Sequence, residues 1–303
     1  MVWEYYLVFA LVLLFLLYLY IGLQIAMTIV LPKVKTLENT IEEESLRDKS
    51  LIKYLDDNKT SEYTIKSRYG YNIKIYEMVN LKSNKYVIIS HGYTYSHLGS
   101  IKYAKMMKKL GFNAILYDHR FHGYSGGKNT TLGYYEKYDL YDIISHVYQE
   151  KGKDIYLGTY GESMGSATVL LEQAIDKRVK FVISDSGFKD LESLIKRKIA
   201  EKKLASWLFF PVVNVFAWLI TKVNLKEVSP IKAIKESKIP ILFVHGKEDS
   251  FITYKDSLAM HKAYQGKKML FIGENKSDHA RTYYNNKIEY FKVLEEFINR
   301  YID

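Results

Sequence analysis

Apolar and polar positions along the chain fall into three successive patterns. From Tyr5 to Leu31 no charged residue appears, and only Gly22, Gln24 and Thr28 break the apolar character. This predicts one continuous helix, because about 20 apolar residues cross the hydrocarbon core of a bilayer. Residues 33–60 are polar. Leu37, Ile41, Ile52 and Leu55 have the spacing of a short amphipathic helix, but Ser45 and Asp48 interrupt the stripe, so a polar linker, with or without such a helix, is expected. From residue 61 onward short apolar runs alternate with amphipathic stretches. Residues 62–66 and 72–79 predict a hairpin around Tyr69-Gly70. Residues 86–90, 113–117, 155–159, 181–184, 241–245 and 269–272 resemble strands buried on both faces of a sheet. Residues 101–110, 134–149, 163–175, 254–264 and 288–301 predict helices, with Gly111 stopping the first. Strands separated by helices predict an α/β fold: a mostly parallel central sheet, an antiparallel N-terminal hairpin, and helices on both faces.

Between residues 187 and 236 the alternation lapses. Residues 191–203 are basic and helical. Residues 205–220 (ASWLFFPVVNVFAWLI) are strongly apolar, but Pro211 and Asn214 interrupt them and they are short for a second span. A small helical cap is expected here, packed over the active site; a cap that also dips into the membrane and a segment of plain core are the alternatives. Trp207, Phe209, Phe210, Phe216 and Trp218 are candidates to line an apolar pocket, and the basic helix to meet anionic lipid headgroups. The expected organisation is a transmembrane anchor at 1–32, a linker at 33–60 and an α/β domain at 61–303, with its cap at about 187–236.

The composition narrows the chemistry. There is no Cys among 303 residues, which excludes disulfides, zinc–thiolate sites and a cysteine nucleophile. The net charge is +10, but the Lys residues are dispersed and no nucleic-acid motif accompanies them, so an anionic membrane surface is the better partner. A cleaved signal peptide would want a basic start and a shorter apolar stretch, whereas residues 1–4 carry no Lys or Arg. Lys33, Lys35, Arg47, Lys49 and Lys53 follow the apolar run and no cation precedes it. This favours a single-pass protein of the cell membrane with its large C-terminal part in the cytoplasm.

Gly161-Glu162-Ser163-Met164-Gly165 is a G-x-S-x-G motif between a predicted strand and a predicted helix. In that setting the motif forms a tight turn that presents the Ser hydroxyl at the carboxyl end of the sheet. Ser163 is the expected nucleophile. A hydroxyl needs a base to take its proton, and the base needs a carboxylate to orient it, in the chain order Ser, acid, His. Of the His residues after Ser163, His245 ends a strand, His261 lies in a helix, and His279 lies in the loop after the last strand. His279 is therefore the expected base. Asp249, after the strand at 241–245, is the first choice of acid, with Glu248 and Asp185 as rivals. The backbone N–H groups of Met164 and of Tyr93, in the loop after the strand at 86–90, are the expected oxyanion donors. His91 is expected to brace that loop. Asp118, His119 and His122 are expected to form a hydrogen-bonded structural turn rather than a metal site, and no metal or organic cofactor is expected.

From about residue 62 to residue 302 these motifs resemble the α/β-hydrolase superfamily. They are His91-Gly92, the run Asp118 to Gly127, the turn at Ser163, His245 to Asp249, and Asp278-His279. The closest likeness is to bacterial membrane-anchored hydrolases of the serine aminopeptidase and monoacylglycerol lipase type, carried by the segment Tyr117 to Lys137. The resemblance implies an α/β-hydrolase fold and a triad of Ser163, Asp249 and His279. It leaves the substrate open. Cleavage of a hydrophobic or lipid-like carboxylic ester at a membrane is the expected activity. A peptidase with the same triad is the first rival, for which Glu162 is the one visible hint, and a non-catalytic binding protein is the second.

Overall fold

The computed structural model describes residues 2–79 and 82–302. In chain order the elements are α1 (Val2–Val30), α2 (Leu37–Arg47), α3 (Ser50–Asn58), β1 (Ser61–Lys66), β2 (Asn72–Met78), β3 (Lys85–Ser90), α4 (Ile101–Lys109), β4 (Asn113–Tyr117), α5 (Glu136–Lys151), β5 (Tyr156–Glu162), α6 (Met164–Glu172), β6 (Val182–Asp185), α7 (Leu191–Glu201), α8 (Ser206–Thr221), α9 (Pro230–Ala233), β7 (Ile241–Gly246), α10 (Lys255–Ala263), β8 (Lys268–Gly273), α11 (Thr282–Asn285) and α12 (Lys287–Tyr301). The strands form one sheet in the order β1-β2-β4-β3-β5-β6-β7-β8. β1 pairs antiparallel with β2, and β2 antiparallel with β4. All further pairings are parallel.

Period-two alternation distributes the core to both faces. Val87 and Ile89 of β3 join α4 and α12 on one side. Tyr86 and Ile88 join α5, α6 and α10 on the other. The chain runs from β3 outward to β4, then returns across β3 to β5, so the connections leaving β3 and β5 diverge. A crevice opens at such a reversal, outside the carboxyl ends of the strands, and ligands bind there in open α/β sheets.

Two segments depart from the expected layout. Residues 33–60 are a folded part of the surface rather than a polar connector. Asp48 ends α2 and its carboxylate caps the next turn by accepting from Ser50 N–H, so the break in the apolar stripe is a helix junction. Leu51 and Leu55 of α3 enter the main core. Glu44 of α2 is buried and accepts from Arg47, Tyr95 and Tyr284.

The second departure is α1. It is long and apolar enough to cross a membrane, but at 1.5 Å per residue it measures about 43 Å, more than the roughly 30 Å a bilayer core requires. Residues 2–17 are exposed all round, whereas Gly22, Ala26 and Val30 are buried. The last third packs beside α8. Gly22 and Ala26, one turn apart, form a small-residue stripe that lets two helices approach closely. A Cβ at Gly22 would stand 2.5 Å from Val212 Cγ1, and Tyr18 OH donates to Leu208 O at 2.9 Å. Gly22→Leu should therefore separate α1 from α8 and destabilise the protein by about 1–3 kcal/mol. Thermal unfolding in detergent checks this, with Leu13→Ala on the exposed stretch expected to leave the midpoint in place.

Candidate active site

Ser163 occupies the turn between β5 and α6 with φ 56° and ψ −114°. An L-residue at such angles carries strain of about 1–3 kcal/mol and persists only where its surroundings fix it. Those surroundings are tight. A Cβ at Gly161 would fall on the backbone of Gly165, and one at Gly165 on the carbonyl of Ser90 in β3. Ser163 N–H is anchored to Asp185 O at 2.8 Å. Only glycine fits at both flanks, and the turn aims the hydroxyl out of the sheet.

His279, in the loop after β8, faces Ser163, with Nε2 2.9 Å from Oγ. Its Nδ1 lies 2.8 Å from Asp249 Oδ2. A carboxylate only accepts, so Nδ1 carries the ring proton and Nε2 is left free to accept from the Ser hydroxyl. The geometry thus selects Asp249 from the three candidate acids. Glu248 is exposed. Asp185 is turned away and accepts from Tyr103 at 3.1 Å, Tyr290 at 2.9 Å and Ser186 at 2.8 Å. Asp278 accepts from Ser250 rather than reaching the ring beside it.

Asp249 is held on every side. Its Oδ1 accepts the N–H groups of Phe251 at 2.9 Å and Ile252 at 2.7 Å. Its Oδ2 also faces His245 Nε2 at 3.1 Å, while the same nitrogen lies 2.7 Å from Ile252 O. His245 thus braces the acid, a role that its place at the end of a strand, four residues before Asp249, did not disclose. Burial acts to raise the Asp249 pKa, but hydrogen bonds from His245 and His279 outweigh it and hold the carboxyl at about 2. For His279 burial disfavours the imidazolium, yet the hydrogen bond and charge of Asp249 prevail and raise its pKa above the ordinary value.

The loop after β3 lies against the nucleophile: a Cβ at Gly92 would be 3.6 Å from Ser163 Cβ. Tyr95 N–H bonds Gly92 O and Thr94 N–H bonds His122 Nε2 at 3.1 Å, while the N–H of Tyr93 takes no part in these turn bonds. Met164 opens α6, where the first N–H groups lack an intrahelical acceptor and the helix dipole favours negative charge. The His residues of the turn after β4 brace this region. His91 Nε2 accepts from His119 N–H at 2.9 Å, and His122 Nδ1 bonds Arg120 O at 2.8 Å. Asp118 is filled by His97 and the N–H of Tyr124.

Ser163 opens into a cavity of about 640 Å³. Its walls are Leu132, Met164, Phe188, Phe251 and Ile252, the inner face of α7, and Ile25, Thr28 and Ile29 of α1. The aromatic residues of α8 do not line it, contrary to the sequence expectation. Trp207 is 76% and Trp218 48% exposed, and Phe210 points into the cap core, because the helical phase of α8 turns its aromatics elsewhere.

The fold, with a nucleophile turn at the switch point of its sheet, defines an α/β hydrolase, and the chain belongs to the α/β-hydrolase superfamily. Residues 82–209 match the family model described as serine aminopeptidase, S33. The Bacillus subtilis (strain 168) protein YqkD, itself uncharacterised, is 34% identical over 286 residues, covering 93% of each chain. Among solved structures, the Pyrococcus furiosus esterase Pf2001 superposes with a TM-score of 0.67 at 23% identity, over 83% of this chain and 95% of that one. The Exiguobacterium antarcticum esterase EaEST superposes with a TM-score of 0.57 at 16% identity, over 79% of this chain and all of the other. At these identities the two structures speak for the fold.

The charges make a pH prediction. A base must be neutral to accept a proton, so hydrolysis should fail as pH drops through the pKa of His279, and the acid limb of kcat/KM should lie above 6.5, the unperturbed imidazole value. In Asp249→Asn burial acts on the ring without its counter-charge. NMR titration should then place the His279 pKa lower than in the wild type, with kcat reduced by about 10⁴-fold. Asp185→Asn should cost far less.

Proposed function

We propose that the protein is a membrane-anchored serine esterase acting on hydrophobic acyl substrates from the cytoplasmic side of the cell membrane. The observation that carries this reading is the unbroken line from Ser163 Oγ through His279 to Asp249, with separations of 2.9 and 2.8 Å, at the base of a largely apolar cavity.

In the reaction, Ser163 Oγ attacks the ester carbonyl carbon while His279 Nε2 takes its proton. The oxyanion that forms is received by the N–H groups of Tyr93 and Met164, a donor of this kind lowering a barrier by about 3 kcal/mol. The intermediate collapses, the C–O bond to the alcohol breaks, and His279 returns the proton to the departing oxygen. Water then repeats the sequence on the acyl-enzyme, and the acid leaves. Asp249 stays ionised throughout and stabilises the imidazolium.

The apolar walls favour an acyl chain over a peptide. Glu162 is also a poor receiver for a substrate amine. Its carboxylate pairs with Lys102 at 2.7 Å and accepts from Tyr103, so its charge is already engaged beneath the nucleophile. The flanking Lys and Arg support the cytoplasmic orientation.

The test uses the full-length chain in detergent with a fluorophosphonate probe. Labelling is expected in the wild type and absent from Ser163→Ala. Ester hydrolysis should exceed hydrolysis of aminoacyl amides. Labelling that persists in Ser163→Ala would move the nucleophile elsewhere, and amides turned over faster than esters would make the protein a peptidase.

A further inference from the structure

The C-terminal third of α1 does more than tether the domain. The last carbonyls of a helix have no intrahelical donor and must find partners elsewhere. Here the active-site loops supply them. Tyr93 OH donates to Thr28 O at 2.8 Å and to Ile29 O at 2.9 Å. Thr130 N–H donates to Val30 O at 3.0 Å, and the hydroxyl of the same Thr130 lies 3.4 Å from Met164 Sδ. Lys35, just beyond α1, donates its N–H to Thr94 O at 3.0 Å. The end of α1 is thus fastened to Tyr93 directly and to Met164 through Thr130, the two residues assigned to the oxyanion.

The side chains of the same turns complete the cavity. Ile25 and Ile29 line it together with Leu191, Leu194, Ile195 and Ile199 of α7. From Leu191 to Glu201, α7 rises about 15 Å. The polar residues Lys198, Glu201 and Lys202 also line the cavity, and Lys198 Nζ stands 4.5 Å from the ring of Phe251, which lies 5.1 Å from that of His279. A few residues further on, the chain meets α1 again, where Tyr18 bonds Leu208 and its ring lies 5.3 Å from Phe209. Beyond Tyr18 α1 is bare apolar surface. The cavity therefore joins the reacting serine to the last turns of the helix whose first half stands clear of the domain.

We propose that Ile25 and Ile29 of α1 form one wall of an acyl-chain channel running from Ser163 along α7 to the membrane surface, so that the substrates are amphiphilic esters whose tail extends back toward the bilayer while the carbonyl sits at Ser163. This rests on the serine-esterase reading above. The membrane helix then sets chain-length preference: the wall favours long acyl chains, and its closure penalises them selectively.

The experiment uses the full-length chain in phosphatidylcholine–phosphatidylglycerol vesicles with para-nitrophenyl acetate, octanoate, dodecanoate and hexadecanoate. Fluorophosphonate labelling serves as the readout of an intact nucleophile. Ile25→Trp and Ile29→Trp are expected to lower the ratio of dodecanoate to acetate kcat/KM by about ten-fold or more, the scale on which an apolar pocket discriminates substrate size. Leu13→Trp, on the exposed stretch, is expected to leave the ratio at the wild-type value. A purely structural role for α1 would depress all esters together and leave the ratio unmoved, which would overturn the proposal. Where a Trp variant fails to label, Ile25→Ala and Ile29→Ala carry the test. A widened channel should move the preferred chain length upward, and an unchanged profile refutes the wall. Absence of labelling in the wild type would fell the esterase reading and this inference with it, whereas normal labelling with an unresponsive ratio would fell the inference alone.

Discussion

The backbone at Ser163 can hold its conformation only because two glycines let three chain segments touch. Gly165 packs against the carbonyl of Ser90, and Gly161 against Gly165 itself. This contact sets the spacing of β3, β5 and α6 at their carboxyl ends. The loop leaving β3 must consequently pass beside Ser163. The strain at the turn, about 1–3 kcal/mol, is small beside the core that fixes it, and it returns a hydroxyl standing clear of the sheet. β6 and β7, next in the sheet, deliver Asp185 as the anchor of Ser163 N–H and Asp249 as the partner of His279. One steric constraint thus orders most of the catalytic geometry.

A second constraint comes from the end of α1. A helix joined by a loose tether would leave its last carbonyls to water. Here Tyr93 and Thr130 cap them, and the chain that follows stays bound to the domain through α2, where buried Glu44 gathers Arg47, Tyr95 and Tyr284. Tyr93 thus ties the end of α1 to the loop that passes beside Ser163.

The parts legible in the sequence are those encoded locally. Alternating apolar runs located the strands to within a few residues, and Gly161, Ser163 and Gly165 announced the turn because a tight approach demands those residue types. The order of Ser163, Asp249 and His279 singled out positions that the structure brings to hydrogen-bonding distance. What stayed hidden depends on phase or on distant partners. α1 is apolar on all sides, so periodicity had no means of marking Gly22 and Ala26 as a packing face or Ile25 and Ile29 as a cavity wall. In α8 an equally uniform composition concealed which side turns inward, and the outward stripe of Trp207, Leu208, Val215, Trp218 and Leu219 appears only in three dimensions. The polar segment 33–60 looked like a connector because its buried groups include a carboxylate, and Glu44 declares itself structural only when Arg47, Tyr95 and Tyr284 converge on it.

The carboxylates beneath the nucleophile bear on the reaction in opposite directions. Glu162 and Asp185 lie under the turn, where negative charge opposes the developing oxyanion. The same charge favours the imidazolium, and both residues act to raise the His279 pKa. The intermediate contains both charges at once, so the balance depends on how the carboxylates are shielded. Glu162 is met by the ammonium of Lys102 at 2.7 Å. Asp185 is pushed up to about 6 by burial and by Glu162, and the hydroxyls of Tyr103, Tyr290 and Ser186 share its charge. With these charges shielded from below, the N-terminus of α6 favours negative charge at the turn, while His279 retains Asp249 as its close counter-charge. The tyrosines packed under the turn, Tyr103 against Tyr160 and Tyr160 bonded to Tyr290, are therefore electrostatic components of the site as well as core.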